Sequence, residues 1–432
     1  MKKLYRFSAI ALLVLPLVFT SCSDYLDRDD DDNITEADVF ARYEKVNGLV
    51  SDVYAAAKKA DRPLVFFEHF SNSAITDECE GTNVEGNITN NFNNGAWNPN
   101  SLPGSVGQYW EALYEGIRKA NLIIENVEKY NTPDNPQQDG DLRNRIGEMY
   151  FMRGYFHMLL MRMYGEAPYI DYVVHAGDNM DFKKESVHAM VEKIVADAQT
   201  AYSMVPNKYV KTSENFGRVD KGACLGLIAF VRWVAATPLW NGASQYGYNL
   251  RRVFENEYAY DINRWRRAKE AAKAVMDFEV GGTKRYSLYT KHDANDFKDP
   301  ADGNLNDSRV YARLWDMFYD MDAFANEYVF FMTKSKDQAW QGDIYPPSRE
   351  GSSRQQPVQE QVDEYEYIVG DYGYPVYSAE ARKGGYDDAN PYVKGTRDPR
   401  FYRDIIYHGA PYRNNNNESK IINTASGSDK IG

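Results

Sequence analysis

The stretch that decides the fold is Met149–Ile170, MYFMRGYFHMLLMRMYGEAPYI. It forms the second half of a predicted helix from about residue 142 to 164, which Gly165 and Pro168 bring to an end. Apolar side chains surround this helix on nearly every side, and a helix without a polar face is buried. The segment therefore predicts a central helix around which other helices pack.

Amphipathic helices are predicted on both sides of this central helix. Thr35 and Asp38 form a capping box, after which apolar residues recur at intervals of three and four. Further helices are predicted over residues 106–129, 187–204, 224–236 and 263–278. Helix starts about 33–34 residues apart are typical of tetratricopeptide repeats. We predict a mostly α fold, a tetratricopeptide-like helical hairpin scaffold with a long irregular, loop-rich half packed on it. The alternative is an irregular helical domain.

The same helical periodicity predicts which large side chains are interior. Trp110, Trp233 and Trp265 each fall on the apolar side of a predicted helix, so we expect them in the core. Arg153 and Arg162 lie on the buried central helix. They therefore need buried partners or must extend their charged ends to solvent.

The N-terminal residues predict export and lipid attachment. Residues 1–21 join a basic start to a short apolar run, which is the pattern of a signal peptide and is too short to span a bilayer. The sequence FTSC, ending at Cys22, is similar to a lipoprotein cleavage site. We expect Cys22 to be acylated, with palmitate among its chains, and residues 22–34 to form an acidic tether. The alternative is an ordinary signal peptide followed by an incidental cysteine.

The composition argues against several functions. The 432-residue chain has a formal net charge of −13, which disfavours nucleic acid because phosphates require a basic surface. The sequence contains no common catalytic motif and no metal-ligand spacing, so we expect no enzyme activity, no metal and no cofactor. Helical periodicity gives way to Gly, Asp and Pro near residue 280. We predict a helical region over 35–280 and an irregular, ligand-binding region over 281–432.

Several motifs together resemble the SusD/RagB family of outer-membrane nutrient-binding lipoproteins of Bacteroidetes. The motifs are SCSDYLDRD (21–29), the central helix ending in YG-x-x-P, TPLWNGA (237–243), NRWRRAKEAAKAV (263–275), PVQEQVDEY (357–365) and YDDANPYVKGTRDPRFYRDIIYHGA (386–410). Family members usually continue well past the RDPRF motif with a further helical segment. The resemblance therefore implies that the family's C-terminal end is missing from this chain.

The resemblance implies a surface-exposed lipoprotein of the outer membrane, anchored through Cys22. Such a protein binds a glycan and delivers it to a SusC-like TonB-dependent transporter. One alternative is a SusD-like protein that binds peptides. Another is a surface glycoside hydrolase, which requires two carboxylates about 5–9.5 Å apart in a cleft.

A glycan site needs aromatic planes for the apolar faces of sugars and polar groups for their hydroxyls. Trp97, with Asn98 and Asn100, lies in an Asn-rich loop where family members often place ligand contacts. Asp77 and Glu78 come earlier in the same loop and are candidate hydroxyl acceptors. We predict that these five residues contact the ligand.

A second candidate segment lies in the irregular region. Trp340, Asp343 and Tyr345 again combine an aromatic plane with polar groups, and we predict that they also contact the ligand. The RDPRF motif, residues 397–401, offers two arginines that could hold an anion. We instead expect this motif to pin the irregular half to the helical scaffold.

Overall fold

The computed structural model describes residues 35–40, 42–60, 66–67, 70–81, 88–96, 98, 104–130, 139–209, 215–243, 254–290, 317–318, 320, 326–332, 342–393, 395–413 and 419–427. The predicted signal peptide and acidic tether, residues 1–34, lie outside these ranges. In the part of the chain that is described, no helix combines the length and the apolar composition needed to cross a membrane.

Helices dominate the first part of the chain. The helices are α1 (Glu36–Phe40), α2 (Tyr43–Ala60), α3 (Ile88–Asn93), α4 (Gly104–Tyr130), α5 (Asp139–Tyr164), α6 (Val187–Met204), α7 (Lys221–Ala236), α8 (Ile262–Asp277), α9 (Gln359–Asp363), α10 (Ala379–Lys383) and α11 (Pro399–Asp404). The predicted capping box at Thr35 and Asp38 is confirmed. The Thr35 N–H donates to the Asp38 carboxylate at 3.0 Å, and the Asp38 N–H donates to the Thr35 hydroxyl at 3.2 Å. Ser186 and Asp220 cap α6 and α7 through their side chains.

The long helices pack in the order of the chain. Helix α4 packs on α5, α5 on α6, α6 on α7 and α7 on α8, while α2 lies against both α4 and α5. Neighbours in sequence are thus neighbours in space, which is the arrangement of stacked helical hairpins. This confirms the predicted tetratricopeptide-like scaffold.

Helix α5 is the centre of the core, as predicted. Its buried side chains include Met149, Phe151, Met152, Phe156, Leu159 and Leu160. Arg153 is also buried, and its Nε donates to the Asp197 carboxylate of α6 at 2.8 Å while Nη1 donates to Asn121 Oδ1 of α4 at 3.0 Å. The Arg162 side chain instead lies exposed over the ring of Phe230. Both arginines therefore behave as predicted, one paired and one extended to solvent.

Outside the helices, the described residues include short antiparallel strand pairs. The strands are β1 (Phe66–Phe67), β2 (Phe70–Ser71), β3 (Cys79–Gly81), β4 (Glu279–Val280), β5 (Thr283–Lys284), β6 (Gln355–Pro357), β7 (Tyr367–Val369), β8 (Tyr372–Tyr374), β9 (Pro411–Arg413) and β10 (Ser419–Ile421). The pairs are β1–β2, β3–β6, β4–β5, β7–β8 and β9–β10. All but β3–β6 join strands that are consecutive in the chain.

The segment over residues 328–332 has no regular secondary structure. It packs by its side chains. The Phe330 ring lies edge-on to Phe151 and Tyr155 of α5, at centroid distances of 4.9 and 5.5 Å. The segment is one place where the irregular half rests on the scaffold, as the predicted fold requires.

Candidate functional site

The pairing of β3 with β6 brings together two loops that are far apart in sequence. Cys79 pairs with Pro357 and Gly81 pairs with Gln355. The Ser71 N–H also donates to Gln355 Oε1 at 2.7 Å, across 284 residues of chain. The loop that carries Asp77 and Glu78 is thereby joined to the segment that follows Asp343 and Tyr345.

Asp77 and Glu78 lie at the turn that leads into β3, and both side chains are exposed. The Thr76 hydroxyl organises this turn, since it donates to the Ser73 carbonyl at 2.8 Å and accepts from the Glu78 N–H at 3.2 Å. The Glu78 carbonyl accepts from the Val358 N–H just after β6, at 3.1 Å. The two carboxylates are thus exposed to solvent, while hydrogen bonds hold the backbone that carries them.

Asp343 lies in a short helical segment over residues 342–344, and Tyr345 follows it at the start of a turn that folds back toward β6. The Asp343 side chain is buried and its Oδ1 lies 2.8 Å from Arg354 Nε. The Arg354 N–H donates to the Asp343 carbonyl at 2.8 Å, and the Ser353 N–H donates to the Tyr345 carbonyl at 3.1 Å. Asp343 therefore helps to close the turn, and Tyr345, which is half-buried, is the more accessible of the two.

A small apolar cluster holds these loops on the scaffold. Its buried members are Phe70, Ala74, Cys79, Ile88 and Val106. The hydroxyl of Tyr164, at the end of α5, donates to the Val106 carbonyl at 2.6 Å. A Cβ at Gly81 would lie 2.5 Å from Thr89 Oγ1, so the glycine lets α3 approach β3 closely. Burial raises the pKa of the Cys79 thiol to about 11, so it packs as a small, protonated side chain.

The other predicted contacts are placed only in part. Asn98 is described, and its side chain is exposed. Trp97, Asn100 and Trp340 lie outside the described residues, and their roles stay predictions. Cys22 also lies outside, so its acylation stays a prediction.

The RDPRF motif has a different structural role from the one predicted. The buried guanidinium of Arg397 donates to the carbonyls of Val362, Tyr365 and Pro391 at 2.6, 2.8 and 3.2 Å. All three carbonyls belong to the irregular half. Arg397 therefore ties segments of that half to one another, where we had expected an attachment to the helical scaffold. Arg400 bonds the carboxylate of Asp398, the residue that caps α11.

Two tryptophans that were predicted to be interior lie at the surface. Trp233 of α7 is 51% exposed and Trp265 of α8 is 38% exposed, so their assignment to the core is wrong. Trp110 does pack against the core. The sequence did indicate that Trp265 is exposed, because three charged residues flank it: Arg264, Arg266 and Arg267.

The joined loops suit a ligand rich in hydroxyl groups. They present the exposed carboxylates of Asp77 and Glu78 and the half-buried phenol of Tyr345. Carboxylate oxygens accept hydrogen bonds, while a phenol both donates and accepts. Such a set can bind neutral hydroxyls at the surface of the loops.

Comparison with known proteins identifies similar chains. A family model described as SusD-like, "Starch-binding associating with outer membrane", matches residues 24–231. A curated relative, SusD-like protein P2 of Formosa agariphila, is 25% identical over 202 residues, which are 46% of this chain and 38% of the relative. The match thus spans less than two-fifths of that relative's length.

Solved structures share the fold. A SusD-like protein from Bacteroides fragilis is 17% identical with a TM-score of 0.60, over 92% of this chain and 68% of that one. A SusD-like carbohydrate-binding protein from the same species is 13% identical with a TM-score of 0.61, over 90% and 64% of the two chains. At such low identity the likeness concerns the fold alone.

Proposed function

Because the chain belongs to the SusD/RagB family, we propose that it is a non-catalytic glycan-binding protein of the outer-membrane surface. It captures oligosaccharide nutrients and delivers them to a SusC-like TonB-dependent transporter. Residues 1–21 are its signal peptide, an acylated Cys22 anchors it, and residues 22–34 are the tether. The helical region, 35–280, carries the irregular region, 281–432.

The observation that carries this proposal is the β3–β6 pairing. It joins two loops that we had independently selected for their aromatic and polar residues, and it fixes them on the helical scaffold. Trp97 and Trp340 flank these loops in sequence and supply the planes on which sugar rings stack. The ligand site is therefore shared between the two regions of the chain.

The decisive experiment tests the full mature chain against a panel of neutral oligosaccharides and a panel of oligopeptides. We expect binding to at least one glycan and to none of the peptides, by isothermal titration calorimetry. Binding to peptides alone would favour the peptide-binding alternative. Release of reducing sugar from a bound glycan would instead indicate a hydrolase.

Site variants then test the placement of the ligand. Trp97→Ala should weaken glycan binding about tenfold, because a stacked aromatic plane contributes on the order of 1.4 kcal/mol. The matched control is Trp233→Ala, which removes an exposed tryptophan from a different surface. Equal affinity of the two variants would place the ligand elsewhere.

Attachment and delivery need separate tests. Cys22→Ala protein should leave the membrane fraction after a carbonate wash, because acyl chains supply the anchor. Co-purification of the unmodified protein with a TonB-dependent transporter would support delivery. Retention of the Cys22→Ala protein would contradict lipid anchoring while leaving glycan binding unaffected.

A further inference from the structure

A small cleft lies where α6, α7 and α8 meet on the scaffold. Its volume is about 70 Å³, and it is lined by His188, Val191, Glu192, Arg232, Ala235, Arg264 and Arg267. Sites for drug-sized ligands have volumes of roughly 300–1,000 Å³. The cleft is therefore large enough for one charged group and too small for a sugar ring.

Positive charge is in excess along the cleft, with three guanidinium groups and one carboxylate. Arg232 bonds both oxygens of Glu192, with Nη2 2.7 Å from Oε2. Arg267 is farther away, its Nη1 lying 3.8 Å from Glu192 Oε1, and its side chain is 47% exposed. Glu192 is thus hydrogen-bonded to Arg232, and the N–H groups of Arg267 remain beyond hydrogen-bonding distance of it.

The third guanidinium is held in place by the protein. Arg264 donates to Asn241 Oδ1 at 2.8 Å and to the Glu257 carbonyl at 2.9 Å. Arg264 and Arg267 are three residues apart on α8, a spacing at which like charges repel. Burial lowers the pKa of Arg264, the Asp261 carboxylate opposes this shift, and the charge of Arg267 adds to it. An anion between Arg264 and Arg267 would reduce the repulsion between them.

The other titratable groups at or beside the cleft are a neutral histidine and two carboxylates. His188 bonds the Trp240 carbonyl through Nε2 at 2.8 Å, and burial lowers its pKa to about 4, so it is neutral at pH 7. The Asp261 carboxylate accepts from the N–H and the side-chain amide of Asn263, both at 2.9 Å. The Asp261 carboxylate attracts both Arg264 and Arg267, and the Glu257 carboxylate acts on His188.

We propose that this cleft is a binding subsite for a single carboxylate group, carried by a small acid or an acidic sugar. The planar fork of an arginine matches a carboxylate, and Arg232 already holds the carboxylate of Glu192 in this way. Arg267 binds the incoming group, and Arg264, which already donates to Asn241 and to the carbonyls of Ala259 and Glu257, adds its positive charge. The subsite is formed by elements other than the β3–β6 loops, so it does not depend on the proposed glycan binding.

The experiment compares two ligands that differ in one group. Saturation-transfer NMR on the full mature chain measures the binding of D-glucuronate and of D-glucose. Glucose carries a hydroxymethyl group where glucuronate carries the carboxylate. We expect glucuronate to bind, and its binding to survive the Trp97→Ala substitution, which disturbs only the proposed glycan site. Absence of glucuronate binding would overturn the proposal and leave neutral-glycan binding untouched.

Charge variants locate the binding. Arg267→Gln should weaken glucuronate binding about fivefold, as expected for loss of one partly exposed charged partner. Arg266→Gln, a neighbouring exposed arginine that does not line the cleft, should have no effect. Glu192→Gln should strengthen binding about fivefold because it removes the competing carboxylate. Equal affinities of the Arg266 and Arg267 variants would overturn the proposal.

A final arm tests the chemistry of the anion. Inorganic sulfate is tetrahedral, and it should displace glucuronate only weakly if the subsite selects a planar carboxylate. Displacement by sulfate at equal concentration would overturn the assignment to carboxylates. Thermal unfolding of each variant checks that the helices remain folded.

Discussion

The helical scaffold and the irregular half both bury an arginine, and the two arginines differ in their partners. Arg153 in α5 donates to the side chains of Asp197 and Asn121 and to one backbone carbonyl, that of Asp171 between α5 and α6. Arg397 in the irregular half donates to the backbone carbonyls of Val362, Tyr365 and Pro391. The residue type is the same, while its partners are mainly side chains in the scaffold and are main-chain carbonyls in the irregular half.

The difference follows from where backbone carbonyls are already bonded. A helix satisfies its own carbonyls except in the last turn, so an arginine buried among helices requires a side-chain acceptor. Loops and short strands leave carbonyls without partners, and buried carbonyls must be bonded. One guanidinium with five donors can bond several such carbonyls. Arg397 thus helps to hold the segments of the irregular half together, as the apolar core holds the helices of the scaffold together.

The largest expected effect is on the scaffold. Arg153→Met removes one partner of a buried ion pair and leaves Asp197 without its main cation. We expect the free energy of unfolding to fall by about 3–5 kcal/mol, measured by urea denaturation followed by circular dichroism.

The control for this variant is Lys119→Met. Lys119 forms an exposed pair with Glu115 on α4, and both side chains are more than 40% exposed. Its loss should change the free energy of unfolding by less than about 0.5 kcal/mol. If the two substitutions had similar effects, the Arg153 network would not be a main source of scaffold stability.

The second prediction concerns the irregular half. Arg397→Met leaves three carbonyls unbonded, so the segment over 359–404 should open more easily while the helices stay folded. We expect the opening free energy of its amides to fall by about 2 kcal/mol, measured by hydrogen exchange. Arg400→Met, which removes a pair with Asp398 on an arginine that is 61% exposed, is the control. Cooperative loss of the whole fold would contradict the contrast between the two regions.

The third prediction concerns acid. Burial lowers the pKa of His157 in α5 to about 3 from its ordinary value of 6.5. Its Nδ1 donates to the Arg153 carbonyl at 2.9 Å, and its Nε2 accepts from the Ile170 N–H at 3.1 Å. The folded protein therefore keeps this ring neutral, whereas the unfolded chain protonates it below pH 6.5. The stabilisation is complete above pH 6.5 and is lost as the pH falls from 6.5 toward 3.

This loss has a slope of at most about 1.4 kcal/mol per pH unit. Urea unfolding at pH 7, 6 and 5 measures this slope. The slope of the His157→Gln variant should be smaller, because its unfolding takes up one proton fewer. His175→Gln, which alters an exposed histidine, should keep the original slope. An unchanged slope in His157→Gln would show that another group accounts for the acid sensitivity.

The smallest effect is expected at the start of the scaffold. Thr35→Ala removes the hydroxyl that accepts from the Asp38 N–H. Loss of an N-cap costs about 0.5–1 kcal/mol, which a precise thermal melt detects. Thr200→Ala, a substitution at an exposed site inside α6, should be neutral or slightly stabilising because alanine favours a helix interior. A larger loss from Thr200→Ala than from Thr35→Ala would contradict the capping role.

Much of the scaffold could be predicted from sequence because helical periodicity reports burial directly. Val46, Val50 and Val53 recur at the expected spacing and are all buried. The pattern was ambiguous in α7, where apolar residues surround the helix and no face is marked, and Trp233 was misplaced for this reason. Trp265 was misplaced because α8 packs chiefly on α7, which leaves much of its circumference in water.

The candidate site was less predictable. Asp77 and Tyr345 were selected from two separate loops, and the structure joins those loops through β3 and β6. Their contact with a ligand stays a prediction. The pairing itself left no signal in the sequence, because strands of three residues show no alternation. The role of Arg397 was hidden for a similar reason, since backbone carbonyls are the same at every residue.

The β3–β6 pairing also has a consequence for the order of folding. Closing a loop of 284 residues, the separation of Ser71 and Gln355, costs about 5 kcal/mol of chain entropy. Three paired residues with bonds of about 1 kcal/mol each do not offset this. The helices between them must first fold and bring the two strands close, so the candidate site should assemble late. It should accordingly be among the first parts of the molecule to open when the scaffold is weakened.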